Sequence, residues 1–164
     1  MTVEVAAGLA ADFASLPSWT LNEGQLGDLE LLLTGAFAPL TGFMGVAEVS
    51  SVSERGVLTD GTPWPVPVTL DVPEGAVAPT TRRLALNDPE GVPLAVLDIT
   101  ERSLLPYSEG GRHARAGSAM VTLSGPVSSF REPEHGPFRQ LRRHPAELRQ
   151  ELGGDPVLAF ATRR

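Results

Sequence analysis

The sequence contains no cysteine. Disulfide bonds, thiolate nucleophiles, zinc–thiolate sites and iron–sulfur clusters are therefore excluded. Lysine is also absent, because all 13 basic residues are arginine. A Schiff-base lysine and a phosphate-loop lysine are excluded for the same reason. We attribute the missing lysine to coding bias rather than to function.

Long apolar runs are missing as well. No stretch approaches the roughly 18 consecutive apolar residues that a membrane helix needs. Residues 1–11 carry Glu4 and no basic residue, which differs from the positively charged start of a secretory signal. These features predict a soluble cytoplasmic protein without a membrane partner.

Positive charge is scarce, since the net charge is −7. Proteins that bind nucleic acid draw much of their affinity from neutralising phosphates, so the charge argues against a nucleic-acid partner. The chain has 164 residues, of which 41% are hydrophobic, which fits one compact domain with a core. Its 17 glycines and 15 prolines favour short strands and turns over a helical bundle.

Three helices are predicted. Thr20 is a candidate N-cap and Glu23 its capping-box partner, for a helix that runs to residue 34 and ends at Gly35. Shorter helices are predicted over residues 46–55 and 144–152. The apolar stripe of the first helix consists of Leu21, Gln25, Leu29 and Leu32 or Leu33.

Strands are predicted in the middle of the chain. Residues 64–72 have apolar side chains at the even positions, and the prolines among them favour an edge strand. Residues 83–87 and 94–99 flank a turn signal and should form a hairpin. A further strand is predicted over residues 118–123, ending at Gly125-Pro126. The broken apolar segment before the second helix should place four side chains in the core: Phe37, Leu40, Phe43 and Met44.

Four ordered segments resemble one known family. Residues 21–44 contain Gln-x-x-Asp-Leu-Glu, a leucine run and Gly-x-Phe-x-Pro-Leu-x-Gly-Phe-Met, and residues 58–72 contain Gly-x-x-Trp-Pro-x-Pro-Val-x-Leu-Asp-Val. Residues 84–91 and the Pro-x-Glu-Leu-Arg helix at 145–152 complete the match. Together they resemble the N-terminal domain of ATP sulfurylases (sulfate adenylyltransferases), which make adenylyl sulfate from ATP and sulfate.

The resemblance implies an α+β fold, a PUA-like pseudobarrel of short, mostly antiparallel strands with flanking helices. It implies a lead-in over residues 1–18 and a PUA-like domain over 19–154. Residues 155–164 would be the stub of the first strand of a nucleotidyltransferase domain. The partner implied is a catalytic domain or subunit of a sulfurylase-type enzyme.

The family's active site lies in that following domain, where an apolar strand leads into Gln-Thr-Arg-Asn-Pro. Here Thr162 and Arg163 match, whereas Ala161 and Arg164 depart from the pattern. Thr162 and Arg163 are therefore the only substrate-binding residues that the resemblance implies. One arginine does not stabilise a phosphoryl transition state, which needs several convergent cationic groups. We expect no catalytic residue and no cofactor in this chain.

The residues themselves suggest few other sites. Arg139, Arg142 and Arg143 share one helical face and could bind an anion or a partner, or could be a solvated face balanced by Glu147 and Glu151. No metal site is expected, because the three histidines, His113, His135 and His144, are widely spaced. Asp28 with Glu30 could be a catalytic carboxylate pair, but a solvent face with one buried, hydrogen-bonded Asp is the simpler interpretation. The serines at 124, 128 and 129 could supply a nucleophile, but turn and edge positions explain them. Trp64 could stack on a base, but a core side chain is favoured.

Three functional hypotheses stay open at this point. The first is an accessory domain of a sulfurylase, acting as scaffold or interface and inactive alone. The second is a stand-alone PUA-like module that binds RNA. The third is a domain repurposed for another protein or small molecule, which the departures at Ala161 and Arg164 suggest.

Overall fold

The computed structural model describes residues 15–104, 119–129 and 143–153. These residues form helices and strands in a mixed order, which is the predicted α+β class. The helices are α1 (Glu23–Leu33), α2 (Val46–Arg55) and α3 (Pro145–Leu152). The strands are β1 (Ser18–Thr20), β2 (Gly42–Phe43), β3 (Leu70–Pro73), β4 (Arg83–Asn87), β5 (Pro93–Asp98), β6 (Glu101–Ser103) and β7 (Met120–Ser129).

The strands form a mixed sheet with the order β1-β4-β5-β7-β2, and β3 and β6 also pair with β7. Only the β1–β4 pair is parallel among these described strands. The predicted hairpin is confirmed as β4 and β5, which pair antiparallel across the turn at residues 88–92. No helix in the described ranges is long and apolar enough to cross a membrane.

Strand β7 organises the sheet because it changes neighbours along its length. Its first half pairs with β3 and β6, and its second half with β2 and β5. The change occurs at Gly125, whose φ is +144°. A β-carbon there would collide with the carbonyl oxygen of Asp98, and one at Gly42 would collide with the backbone of Gly125 and lie 2.6 Å from Cα of Pro126. The backbones of Gly42, Asp98 and Gly125 therefore lie too close together for a side chain at either glycine.

The core lies between one face of this sheet and helices α1 and α2. On the hairpin, Leu84 pairs with Leu97 and Leu86 with Ala95, and all four are buried in the main cluster. The cluster also contains Leu29 and Leu32 of α1, Val52 of α2, and residues of β3 and β7. On the other face, Ala85 and Val96 form a small separate cluster with Leu16.

The segment before α2 packs into this core as predicted. Phe43 and Met44 are buried, and Phe37 and Leu40 are half-buried against the same cluster. Trp64 also packs there, with its ring edge-on to Phe37 at a centroid distance of 5.4 Å. The prediction that Trp64 is a core side chain is confirmed.

The predicted cap of α1 is wrong. The N-cap is Asn22, whose Oδ1 accepts from the backbone N of Gln25 at 2.9 Å, while Gln25 Oε1 accepts from the backbone N of Asn22 at 3.2 Å. Thr20 is instead the last residue of β1, and the backbone N of Leu21 donates to Asn87 O. Pairing with β4 therefore keeps Thr20 extended. The helix ends as predicted, with Gly35 at φ +74°.

Two strand predictions need correction. Of residues 64–72, only the end belongs to β3, because prolines at 63, 65 and 67 have no N–H to donate to a sheet. The strand predicted over residues 118–123 continues as β7 to Ser129, since Gly125 bends it without ending it. Sequence patterns did not predict the short strands β1, β2 and β6.

We expect Gly125→Ala to destabilise the fold by roughly 2–4 kcal/mol, because it adds a positive-φ strain and a backbone collision. Urea unfolding followed by circular dichroism measures this loss. The matched control is Gly27→Ala, since Gly27 lies in α1 with no atom within 4 Å of an added β-carbon. The control should be neutral or stabilise the helix by up to about 1 kcal/mol. Equal unfolding midpoints for both variants would contradict the role of Gly125.

The corrected cap of α1 is tested by comparing two alanine variants. Asn22→Ala removes the acceptor for the Gln25 backbone N–H and should cost about 1 kcal/mol. Thr20→Ala changes an exposed residue at the edge of the sheet and should stay within about 0.5 kcal/mol. The unfolding temperatures of both variants are measured by thermal unfolding. A larger loss of stability for Thr20→Ala than for Asn22→Ala would indicate that Thr20 is the cap.

Candidate functional site

The residues predicted to bind substrate or anions fall mostly outside the described ranges. Thr162 and Arg163 lie beyond residue 153, and Arg139 and Arg142 lie before residue 143. Only Arg143 of the predicted patch is described. The substrate-binding pair and the arginine patch therefore stay predictions.

Arg143 stands just before α3 and is engaged by two carboxylates. Its Nε lies 3.3 Å from Glu147 Oε2, and its Nη2 lies 3.0 Å from Glu151 Oε1. The hydrogen bonds that it donates to Glu151 and Glu147 raise the pKa of Arg143 above its ordinary value. All three side chains are about half exposed, so solvent screens the pairs. Two carboxylates of α3 therefore compensate the positive charge of Arg143.

Buried polar groups elsewhere serve the fold. Gln25 is 1% exposed on the buried side of α1. Its Oε1 accepts from Trp19 Nε1 and from the backbone N of Asn22, each at 3.2 Å, and its Nε2 donates to Asp71 O at 2.8 Å. These bonds satisfy the amide and connect β1, α1 and β3.

Asp71 continues this network on the next strand. Its carboxylate accepts from Thr122 Oγ1 at 2.5 Å and from Thr69 Oγ1 at 3.2 Å. Thr122 lies opposite Asp71 in the β3–β7 pair and is buried. The two carboxylate oxygens thus hold hydroxyl groups of the chain itself, so Asp71 has the geometry of a structural acceptor.

The two charged residues of β6 also bind backbone groups. Glu101 Oε2 accepts from the N–H of Val46 at the start of α2, at 3.2 Å, which suits a carboxylate at a helix N-terminus. The Arg102 guanidinium donates to three carbonyl oxygens of the loop before β4, those of Val77, Ala78 and Thr81. Burial, and then the nearby charge of Arg82, lower the pKa of Arg102.

The remaining candidate groups do not converge on a reaction centre. Asp28 and Glu30 lie two positions apart in α1, so their side chains leave different faces of the helix. Ser124 donates to the Glu101 carbonyl oxygen at 3.3 Å. No group of three potential metal ligands occurs among the residues that the structure describes. His144 stands before α3, whereas His113 and His135 lie outside those residues.

Sequence reasoning missed the network around Gln25 and Asp71. Gln25 was recognised only as a member of the apolar stripe of α1, although a glutamine among leucines on a buried face signals a hydrogen-bonded polar group. These contacts were not predictable from spacing, because Asp71 lies 46 positions from Gln25 and Thr122 lies 51 positions from Asp71 along the chain.

Some large apolar side chains are exposed on the surface. Among the described residues, Leu148 and Leu152 of α3 are 38% and 37% exposed and lie four positions apart. Other exposed apolar residues are Leu31, Val66, Val92 and Leu104, which lie on separate elements or loops. Leu148 and Leu152 are thus two partly exposed apolar side chains on one side of α3.

Comparison with known proteins identifies the family. Residues 2–105 match the family of PUA-like domains. The chain is 37% identical to the sulfate adenylyltransferase of Deinococcus radiodurans, over 93% of this chain and 43% of that protein. It is 35% identical to the sulfate adenylyltransferase of Saccharomyces cerevisiae, over 88% of this chain and 32% of that protein.

A solved structure agrees with these relatives. The hexameric APS kinase from Thiobacillus denitrificans matches with a TM-score of 0.72 and 36% identity, covering 93% of this chain and 29% of that one. The chain spans less than half the length of the curated relatives named above. Since the PUA-like match covers more than half of the sequence, this chain belongs to the PUA-like domain family, as a relative of sulfate adenylyltransferases.

Proposed function

We propose that this chain is the N-terminal, non-catalytic domain of a sulfate adenylyltransferase-like protein of sulfate assimilation. It acts as a scaffold or interface for a catalytic domain or subunit and is inactive alone. The observation that carries this proposal is the coverage, since the chain aligns over 93% of its own length but only 43% of the Deinococcus radiodurans relative. A cytoplasmic location is part of the same proposal.

The described geometry supports a non-catalytic role. The Gln25 amide and the Asp71 carboxylate are satisfied by groups of the chain. Glu101 and Arg102 are engaged by backbone groups. Phosphoryl transfer needs several free cationic groups that converge on the phosphates. Among the described arginines, Arg83 and Arg143 pair with carboxylates, Arg102 donates to carbonyl oxygens, and Arg55 donates to the Ser51 hydroxyl.

The same observations weigh against a module that binds RNA. The net charge is −7, and Arg143 is paired with Glu147 and Glu151. Arg83 is likewise paired with Asp98, at 3.3 Å. Cations that are already compensated release fewer counterions when they meet a phosphate backbone, so they add little affinity.

The first test measures the purified chain with ATP, sulfate and Mg²⁺, following adenylyl sulfate and pyrophosphate. We expect no product above the level without protein, because the chain holds no convergent cationic site among its described residues. Sustained formation of adenylyl sulfate by the chain alone would contradict a non-catalytic role. The sulfate adenylyltransferase of Deinococcus radiodurans is the positive control.

The second test asks whether the chain supports catalysis in a longer polypeptide. The segment of the Deinococcus radiodurans enzyme that this chain matches is replaced by this chain, and the chimera is assayed in the same way. We expect adenylyl sulfate formation by the chimera and a loss of at least tenfold when the segment is deleted. A folded chimera without activity would contradict the scaffold role.

A further inference from the structure

The loop between α2 and β3 contains a tight turn at residues 58–62, which we call the Asp-Gly turn. The backbone N of Leu58 donates to Thr62 O at 2.8 Å, and the backbone N of Gly61 donates to Leu58 O at 3.0 Å. Gly61 has φ +89°. These bonds are those of a three-residue hairpin connection whose third residue needs a positive φ, which glycine adopts without strain. The turn therefore places a glycine directly after Asp60.

Asp60 and Gly61 form the only Asp-Gly or Asn-Gly dipeptide in the sequence. Such a dipeptide can react with itself, because glycine has no side chain to shield its backbone nitrogen from the preceding carboxyl group. The nitrogen of Gly61 attacks Cγ of Asp60, a C–N bond forms, and the carboxyl hydroxyl leaves as water with the proton of the N–H. Water then opens the succinimide ring at either of its two carbonyl carbons. One opening restores aspartate, and the other leaves isoaspartate, in which the main chain runs through the side-chain carbons.

In the folded turn both reacting groups are engaged. The N–H proton of Gly61, which the attack must release, is held in the hydrogen bond to Leu58 O. Asp60 Oδ1 accepts from the backbone N of Thr62 at 2.8 Å, a bond typical of aspartate in turns. This bond lowers the pKa of Asp60 below its ordinary value, and an ionised carboxylate is a poor electrophile. The folded turn therefore opposes the reaction although Asp60 is exposed.

A carboxylate of α2 holds the turn in place. One oxygen of Glu48 accepts from the backbone N of Thr59 at 3.0 Å, and the other accepts from the Thr59 hydroxyl. Leu58, at the start of the turn, is buried in the main cluster. Surface turns open locally at a cost set by the few contacts that hold them. The contact between Glu48 and Thr59 should therefore determine how often the Asp-Gly turn opens.

We propose that Asp60 is a site of isoaspartate formation, that the folded Asp-Gly turn suppresses the reaction, and that Glu48 sets its rate by holding Thr59. The reaction needs no partner, metal or cofactor, because both reacting groups belong to the same dipeptide. It is independent of the proposed function.

The modification would alter the loop beyond the turn itself. Isoaspartate adds one methylene group to the main chain between the two sides of the loop. Those sides are joined by the bridge between Val57 and Pro63 and by the bond from Trp64 N to Gly56 O at 2.8 Å. A longer main chain shifts one side against the other, so these contacts and the packing of the Trp64 ring should loosen.

The first test compares the folded chain with the same chain in concentrated urea, both incubated at neutral pH. Isoaspartate at position 60 is measured by mass spectrometry with fragmentation that distinguishes it from aspartate, and by methylation with an isoaspartyl methyltransferase. We expect formation to be at least about tenfold slower in the folded chain, because the turn must open first. Asp71 is the internal control, since the branched side chain of Val72 shields the nitrogen that would attack it.

The second test compares two alanine variants of α2 in the folded chain. Glu48→Ala removes the acceptor of Thr59 and should raise the rate of isoaspartate formation about fivefold. The matched control is Glu54→Ala, which removes an exposed carboxylate near the other end of the same helix and should leave the rate unchanged. Thr59→Val, at an exposed position, removes only the hydroxyl donor and should raise the rate about twofold. Circular dichroism checks that each variant is folded.

Each part of the proposal has an outcome that overturns it. If the unfolded chain forms no isoaspartate at position 60, or no more than at Asp71, Asp60 is not the site. Equal rates in the folded and unfolded chains would show that the turn gives no protection. If both Glu48→Ala and Thr59→Val react at the rate of Glu54→Ala, Glu48 does not control the turn.

Discussion

The fold depends on the close backbone contact at Gly125. At this point β7 leaves β3 and β6 and joins β2 and β5, and the backbones of Gly42 and Asp98 approach too closely for any β-carbon. A side chain at Gly125 would force the backbone of β7 away from Asp98 and Thr100. The buried leucines of β4, β5 and β7 pack as one cluster because this junction keeps both halves of the sheet together.

The polar interior follows from the same arrangement. Once β3 lies against the first half of β7, Thr122 faces Asp71, and the Asp71 carbonyl lies within reach of Gln25 on α1. Each of these groups would be costly to bury alone, and each is satisfied by another. The polar groups of Gln25, Asp71 and Thr122 thus form hydrogen bonds that connect α1, β3 and β7.

Much of the fold was predictable where the signal is local. The bounds of α2 and β4 were predicted to the residue, and the hairpin of β4 and β5 followed from two short strand segments that flank the turn signal at residues 87–91. The capping-box pattern fits both Thr20 with Glu23 and Asn22 with Gln25, which led to the wrong cap. Asn22 is the cap because Thr20 is held extended in β1 by its pairing with β4. The strip of prolines before β3 looked like a strand because its apolar residues alternate, although it lacks the donors that a strand needs. For the candidate site, the resemblance indicated residues that lie outside the described ranges, and spacing alone could not pair Gln25 with Asp71.

The sequence by itself determined the family, the α+β class and the exclusion of cysteine and lysine chemistry, because composition and ordered motifs do not depend on how distant segments meet. It also determined the C-terminal end of α1, the bounds of α2 and the hairpin turn, since glycine, proline and capping residues act on their nearest neighbours. Only the tertiary structure decided that β7 pairs with four strands, that Thr20 belongs to β1, and that Gln25 and Asp71 share a hydrogen-bond network. The physical reason is that these features require segments far apart in the chain to approach within hydrogen-bonding distance, and no local pattern records which segments will do so.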